Sequence, residues 1–139
     1  MVTRFAPHGE FTIRIEGRIL ISDVVGPWNR ELVINWGKQA LKHAKPLGAS
    51  GPYVGMSIVH GSLLCPPDAF AALRVSLTYG NTHLGCIGNV LVADAKVEGR
   101  SLLLPMYEQL YDDSTPHFIC LDIDSARDWA LARLAEKGY

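Results

Sequence analysis

From Phe11 to Ile15 the chain alternates, with Phe11, Ile13 and Ile15 apolar and Thr12 and Arg14 polar, the period-two pattern of a strand with one wet face. Glu16-Gly17 supplies a tight turn, and "RILISDVV" follows as a second strand, apolar on both faces and therefore more central. The two read as a β-hairpin. At Asn29 the period changes. Val33, Trp36, Gly37, Ala40, Leu41 and Ala44 fall on one face of a helix, with Asn29 as its N-cap, Glu31 in the favourable first turn, and Pro46 and Gly48 predicted to stop it. "YVGMSIV" is a third strand. "PPDAFAALRVSLTYGN" opens with prolines where a first helical turn tolerates them, places Phe70, Leu73 and Leu77 on one face, and is expected to end at Gly80-Asn81.

"CIGNVLVAD" reads as a fourth strand and "GRSLLLPMYEQLYDD" as a helix that Pro105 starts or kinks. "HFICLDI" is a fifth strand. In "DSARDWALARLAEKGY", Ser125 and Asp128 are spaced like a capping box, and Ala126, Trp129, Ala130 and Leu134 form the apolar stripe of a terminal helix. The order is β-β-α-β-α-β-α-β-α. Strands alternating with helices after a hairpin predict right-handed crossovers and an α/β fold. The expected sheet is mostly parallel and five-stranded, with an antiparallel edge strand, carried with four main helices in one domain over residues 1–139. Repeats, low-complexity stretches and linkers are absent from the sequence.

Composition narrows the function classes. Hydrophobic residues make up 48% and charged residues 19% of 139, which excludes a disordered chain and allows a sizeable core. A net charge of −1 with the two signs interspersed gives no footprint for nucleic acid or for a membrane surface. No apolar run approaches the roughly 20 residues that span a bilayer, and "MVTRFAPHGEF" lacks the apolar segment of a signal peptide, so the expectation is a cytoplasmic protein without membrane insertion. Cys65, Cys86 and Cys120 are odd in number and form no C-x-x-C pair; Cys86 and Cys120 lie in apolar strand-like runs and read as buried small hydrophobes. His8, His43, His60, His83 and His117 have no metal-ligand spacing, so neither a metal nor a cofactor is expected.

The element order, with "GRILISDVVGPWN" leading into the first helix and "DIDSARDWALARL" forming the last, resembles the STAS-like domains, and among them the SpoIIAA-like bacterial proteins. The corner Gly26, Trp28, Asn29 and the acidic cap with its helix (Asp124, Ala126, Trp129, Ala130, Leu131) carry that resemblance. It implies a non-catalytic module, of the kind that antagonises anti-sigma factors, sits in sensory complexes or transporter tails, or binds small ligands. The superfamily's switch is an Asp-Ser pair at the start of the second helix. Here Asp68 is followed by Ala69, so the acceptor is missing, and Ser62 lies upstream of the prolines. No regulatory phosphorylation is expected at that point.

Candidate chemistry lies where the carboxyl ends of parallel strands face helix N-termini, the usual ligand crevice of open α/β sheets. Trp28 and Asn29 after the second strand, Ser62, Cys65 and Asp68 after the third, and Asp94 after the fourth fall on that rim. Trp28 is a candidate flat contact, expected to be partly exposed because Gly26-Pro27 turns the chain out of the sheet just before a helix begins; Asn29 is a donor beside it or simply the cap. Trp36 and Trp129, on apolar helical faces, are expected to be buried. Cys65 sits near a helix N-terminus with His60 five residues earlier, a thiol-base pairing that lacks an acidic orienter; the ordinary alternative is a packed thiol with unremarkable reactivity. Asp112 and Asp113 read as a solvated helix end. The expected function is therefore regulatory or small-ligand binding, with a small molecule or a protein as partner, and a homodimer is compatible with it. The alternatives are a thiol-dependent enzyme using Cys65 and His60, and a carrier of an apolar small molecule lodged between helices.

Overall fold

The computed structural model describes residues 9–111 and 115–139; Asp112, Asp113 and the first eight residues lie outside them. Strands β1 (Glu10–Glu16) and β2 (Ile19–Val25) form the antiparallel hairpin. β3 (Tyr53–His60), β4 (Cys86–Val92) and β5 (His117–Cys120) add in parallel, giving a five-stranded sheet in the order β1-β2-β3-β4-β5. Helices α1 (Arg30–Ala49), α2 (Pro67–Tyr79), α3 (Arg100–Glu108) and α4 (Ile123–Ala135) complete the expected α/β architecture and element order.

Strand order without reversal fixes the layers. Three successive right-handed crossovers in one direction put α1, α2 and α3 on the same face. There Leu32 and Val33 of α1, Ala69 of α2 and Tyr107 of α3 pack with Val59, Leu91 and Ala93 from the sheet. α4 follows β5 and returns across the opposite face, where Ala126, Ala130 and Leu134 cover Ile21, Val54, Met56, Val90 and Val92. The period of two along each strand divides its residues between these layers.

Three boundaries, and the burial of all three tryptophans, differ from the sequence expectations. α1 runs through Pro46 to Ala49. Pro46 is exposed, and Lys42, the residue whose carbonyl it leaves unbonded, is also exposed, so that carbonyl is open to solvent and the helix can continue. α2 ends at Tyr79 with Gly80 as its C-cap, where the sequence places its end, and a π-helical turn not expected from the sequence, Gly80–Leu84, follows directly and is closed by Gly85 at φ 89°. β5 stops at Cys120 because Asp122, not Ser125, caps α4: Asp122 Oδ1 accepts from the Ser125 N–H at 2.7 Å. Pro105 lies inside α3, which begins at Arg100. Trp36 and Trp129 are half-buried rather than buried. Trp129 rests between Phe118, stacked at 6.0 Å, and the Arg133 guanidinium, at the outer side of the short edge strand β5. Trp36 borders the open space described next.

Candidate functional site

Small side chains on three facing surfaces leave a cavity of about 520 Å³ between α1, α2, the π-helical turn and the sheet. On the sheet, Leu20, Gly55 and Asn89 align across β2, β3 and β4, and Ser22 aligns with Ser57 in the next row. Gly55 and Ser57 sit in the middle strand yet remain partly exposed, because no side chain fills the space above them. Gly37, Ala40 and Ala44 on α1 and Ala72, Ser76 and Gly80 on the other side recur at helical spacing and keep the walls low. The helices touch at Gly37, where a Cβ would lie 2.9 Å from Ser76 Oγ. At the mouth, Val75 and Tyr79 are exposed apolar side chains, and the charged lining residues, Arg30 and Lys38, are both basic and solvent-exposed.

The lining is mainly apolar, with polar groups at two places. Trp36 Nε1 donates to Ser22 Oγ at 2.9 Å, so that pair is internally satisfied. At the far end, Asn89 Nδ2 donates to Asn81 Oδ1 at 3.0 Å, and the Cys86 thiol donates to Asn89 Oδ1 at 3.6 Å. Burial pushes the Cys86 thiol up to about 11 and raises the Tyr53 phenol as well, so both are neutral near pH 7. Tyr53 is 3% exposed, packed with Ala44, Leu20 and Cys86, and its hydroxyl makes no hydrogen bond to a described residue. Among the described residues the enclosed polar side-chain atoms without a partner are Trp28 Nε1 and Arg133 Nε, so the Tyr53 hydroxyl, a lining group of the cavity, reaches its open space and can bond an occupant there. A smaller space of about 50 Å³ lies alongside, sharing Trp36, Ser57, Leu77 and Tyr111 as walls.

The rim residues are arranged differently from the expectation. Trp28 is buried, 5% exposed, among Leu32, Val59, Leu63 and Tyr107. The β2–α1 corner is pressed under the β3–α2 loop: Gly26 N bonds to His60 O at 2.9 Å, Trp28 N bonds to Leu64 O at 3.3 Å, and a Cβ on Gly26 would fall 1.9 Å from Ser62 O. That loop roofs the corner, so the indole is folded inward instead of standing out. A strand order that never reverses also opens no crevice of the switch-point kind at the strand ends. Asn29 caps α1 through Oδ1, which accepts from Leu32 N at 3.1 Å.

Ser62 is buried; its hydroxyl donates to Glu98 Oε1 at 3.0 Å and accepts from Leu64 N at 3.0 Å. Cys65 Sγ lies 3.5 Å from Tyr107 Oη, whose own hydroxyl donates to Leu63 O at 2.7 Å. Burial raises the Cys65 thiol, only partly offset by the Tyr107 hydroxyl and the Trp28 indole. Trp28 Nε1 makes no hydrogen bond of ordinary geometry, so it acts on the sulfur as a nearby dipole rather than a bonded donor. The expected pull of the α2 N-terminus toward thiolate is outweighed. His60 Nε2 faces Asp23 Oδ1 at 3.4 Å, and no hydrogen bond joins it to Cys65. Asp68 is exposed in the first turn of α2, and Asp94 Oδ1 accepts from Lys96 N at 2.8 Å in a turn.

The cavity residues Tyr53, Asn81, Cys86 and Asn89 are not among the site candidates of the sequence reading, which takes Cys86 as a buried small hydrophobe and Asn81 as part of a helix end. Their available signal was polar and small residues, Ser22, Gly55, Ser57 and Asn89, at helix-facing positions of otherwise apolar strands. Among the described residues no cluster of His, Cys, Asp or Glu has metal-binding geometry, and no helix is long and apolar enough to cross a membrane. No protein-family model, curated protein or solved structure matches this chain, which leaves the chemistry of the cavity as the ground for assigning it a role.

Proposed function

We propose that this protein is a non-catalytic binding module whose ligand is a small, mostly apolar molecule held between α1, α2 and the sheet. The observation that carries the reading is the cavity of about 520 Å³ with a mainly apolar lining and few polar groups. That size lies in the range of about 300–1,000 Å³ typical of small-molecule sites. Leaving it empty forfeits packing that larger side chains at Ala40, Ala72 or Gly55 would supply, which is the expected signature of space kept for an occupant. A regulatory role of the STAS kind rests on the element order and on the short motifs at Gly26, Trp28 and Asn29 and in α4, and is compatible with ligand binding as its input. The thiol-enzyme alternative has less support, since Cys65 and His60 are each engaged with other partners.

Trp36 borders the cavity and reports its occupancy by fluorescence. Titration with a neutral naphthylamine fluorophore should quench Trp36 emission by energy transfer and saturate at one molecule per chain. Ala40→Phe, which fills the cavity from α1, should abolish binding while the protein stays folded. Equal binding by Ala40→Phe, or no saturable binding by either protein, would overturn the reading.

A further inference from the structure

We infer that the ligand enters with an uncharged oxygen function, a carbonyl or hydroxyl, at its inner end, and that Tyr53 and Asn81 recognise this oxygen. The inference rests on the cavity reading above and names the class of molecule: a neutral, mainly hydrocarbon ketone, alcohol, ester or amide.

The inner end holds donors that lack acceptors. Tyr53 Oη has no partner among the described residues, and it stands beside Gly80, where a Cβ would lie 3.4 Å away. The next residue, Asn81, uses Oδ1 to accept from Asn89, and its Nδ2 makes no hydrogen bond to a described residue. The π-helical turn brings the two together, since it carries Gly80 and Asn81 over the end of β3 where Tyr53 begins the strand. Asn89 Oδ1 is already engaged by the Cys86 thiol. Tyr53 and Asn81 both line this cavity, and a hydroxyl together with an amide N–H asks for an oxygen acceptor.

Charge decides which oxygen. The basic lining residues are on α1, and the nearer of them, Lys38, precedes Ala44, the α1 residue packed on Tyr53, by six positions, or about 9 Å along the helix axis. Lys38 is solvent-exposed, and no cation lines the inner end. A carboxylate brought there would lose its hydration with no counter-charge, whereas a ketone or alcohol keeps its one acceptor bonded. A pure hydrocarbon would fill the volume but leave the Tyr53 hydroxyl unpaired.

Displacement of the naphthylamine fluorophore by a chain-matched series tests this: an n-alkane, the alkanol, the methyl ketone and the carboxylate. The ketone and alkanol should bind about tenfold tighter than the alkane and the carboxylate, the size of one net hydrogen bond. Tyr53→Phe should lower affinity for the ketone about tenfold and leave the alkane unchanged. Because the hydroxyl removed has no protein partner, the unfolding midpoint should hardly move. If Tyr53→Phe does not fold, the wild-type ranking alone decides. A carboxylate that binds tightest, or an alkane equal to the ketone, overturns the inference and leaves the cavity reading standing. Failure of the whole series to displace the fluorophore also overturns the inference, while the cavity reading is decided by the fluorophore titration and Ala40→Phe.

Discussion

The rings of Trp28 and Tyr107 meet edge to face, 6.4 Å between centroids and 85° between planes, and join the β2–α1 corner to α3 through the core. Tyr107 is held in turn by Phe70, at 5.8 Å and 84°, and by its hydrogen bond to Leu63 O. Trp28→Ala would open a void beneath the β3–α2 loop and remove one aromatic partner. It should cost roughly 3–5 kcal/mol, as large aromatic truncations in a core do, read from urea unfolding midpoints at constant slope. A loss below about 1 kcal/mol would mean that the indole contributes little to packing and would reopen a binding role for this corner.

How far the chain announced this arrangement depends on the kind of information each feature needed. The strands and the apolar faces of α1 and α4 are written in local periodicity, and Asn29 is a local cap, so these were legible. The continuation of α1 past Pro46 was not, because a proline inside a helix is tolerated where the carbonyl it orphans, here that of Lys42, faces solvent, and exposure is settled by tertiary packing. Trp28 was misplaced because its burial depends on a loop that follows β3, not on its neighbours in the chain. The cavity was hidden for a related reason. Gly37, Ala40 and Ala44 look like any close-packing helix face until Gly55 and Ser57 are seen opposite them, and that pairing is tertiary.

Cys65 should be a slow nucleophile. Desolvation raises its thiol above the ordinary value, so the thiolate fraction near neutral pH is smaller than for a free cysteine. The pH dependence of iodoacetamide modification should give an apparent pKa above about 8.5, with Cys86, deeper and raised further, reacting later still. An apparent pKa near neutrality would restore Cys65 and His60 as a catalytic pair.

Alkaline conditions should unfold the protein before acid does comparable damage from these groups. Cys86 ionises near 9.0 when unfolded and at about 11 when folded, so between those values the unfolded chain has released a proton that the folded one retains. Fewer protons bound in the unfolded state make stability fall as pH rises. The contribution is fully present below pH 9, and roughly 2–3 kcal/mol is lost by pH 11. The raised phenols of Tyr53, Tyr107 and Tyr111 act in the same direction once unfolded tyrosine ionises near 10.0. Unfolding midpoints in urea measured from pH 8 to 11 should decline steadily, and Cys86→Ala should flatten the first part of that decline relative to its own value at pH 8. A flat profile would show that these groups are solvated in the folded state.

Arg18, in the β1–β2 turn, should matter more than its surface position implies. Its Nε donates to Pro52 O at 2.5 Å, Nη1 to Ser50 Oγ at 3.1 Å, and Nη2 to Gly51 O at 2.9 Å and to Leu47 O. The guanidinium also lies 5.5 Å from the centre of the Tyr139 ring, so it ties the hairpin, the end of α1 and the chain's last residue together. Carbonyls at a helix C-terminus lack intrahelical donors and favour a cation. Arg18→Ala would leave them to water and should cost roughly 2–3 kcal/mol, given that hydrogen bonds to charged groups are worth about 1.5–3 kcal/mol each and these are only partly buried. Arg18→Lys should recover less than half of the loss, because an ammonium cannot reproduce the planar fork that reaches several carbonyls at once. Hydrogen exchange at the amides of Ser50 and Gly51, which bond back to Leu47 and Gly48, should accelerate in both variants, more in the alanine one. Full rescue by lysine would mean that charge alone, and not the directed bonds, holds the end of α1.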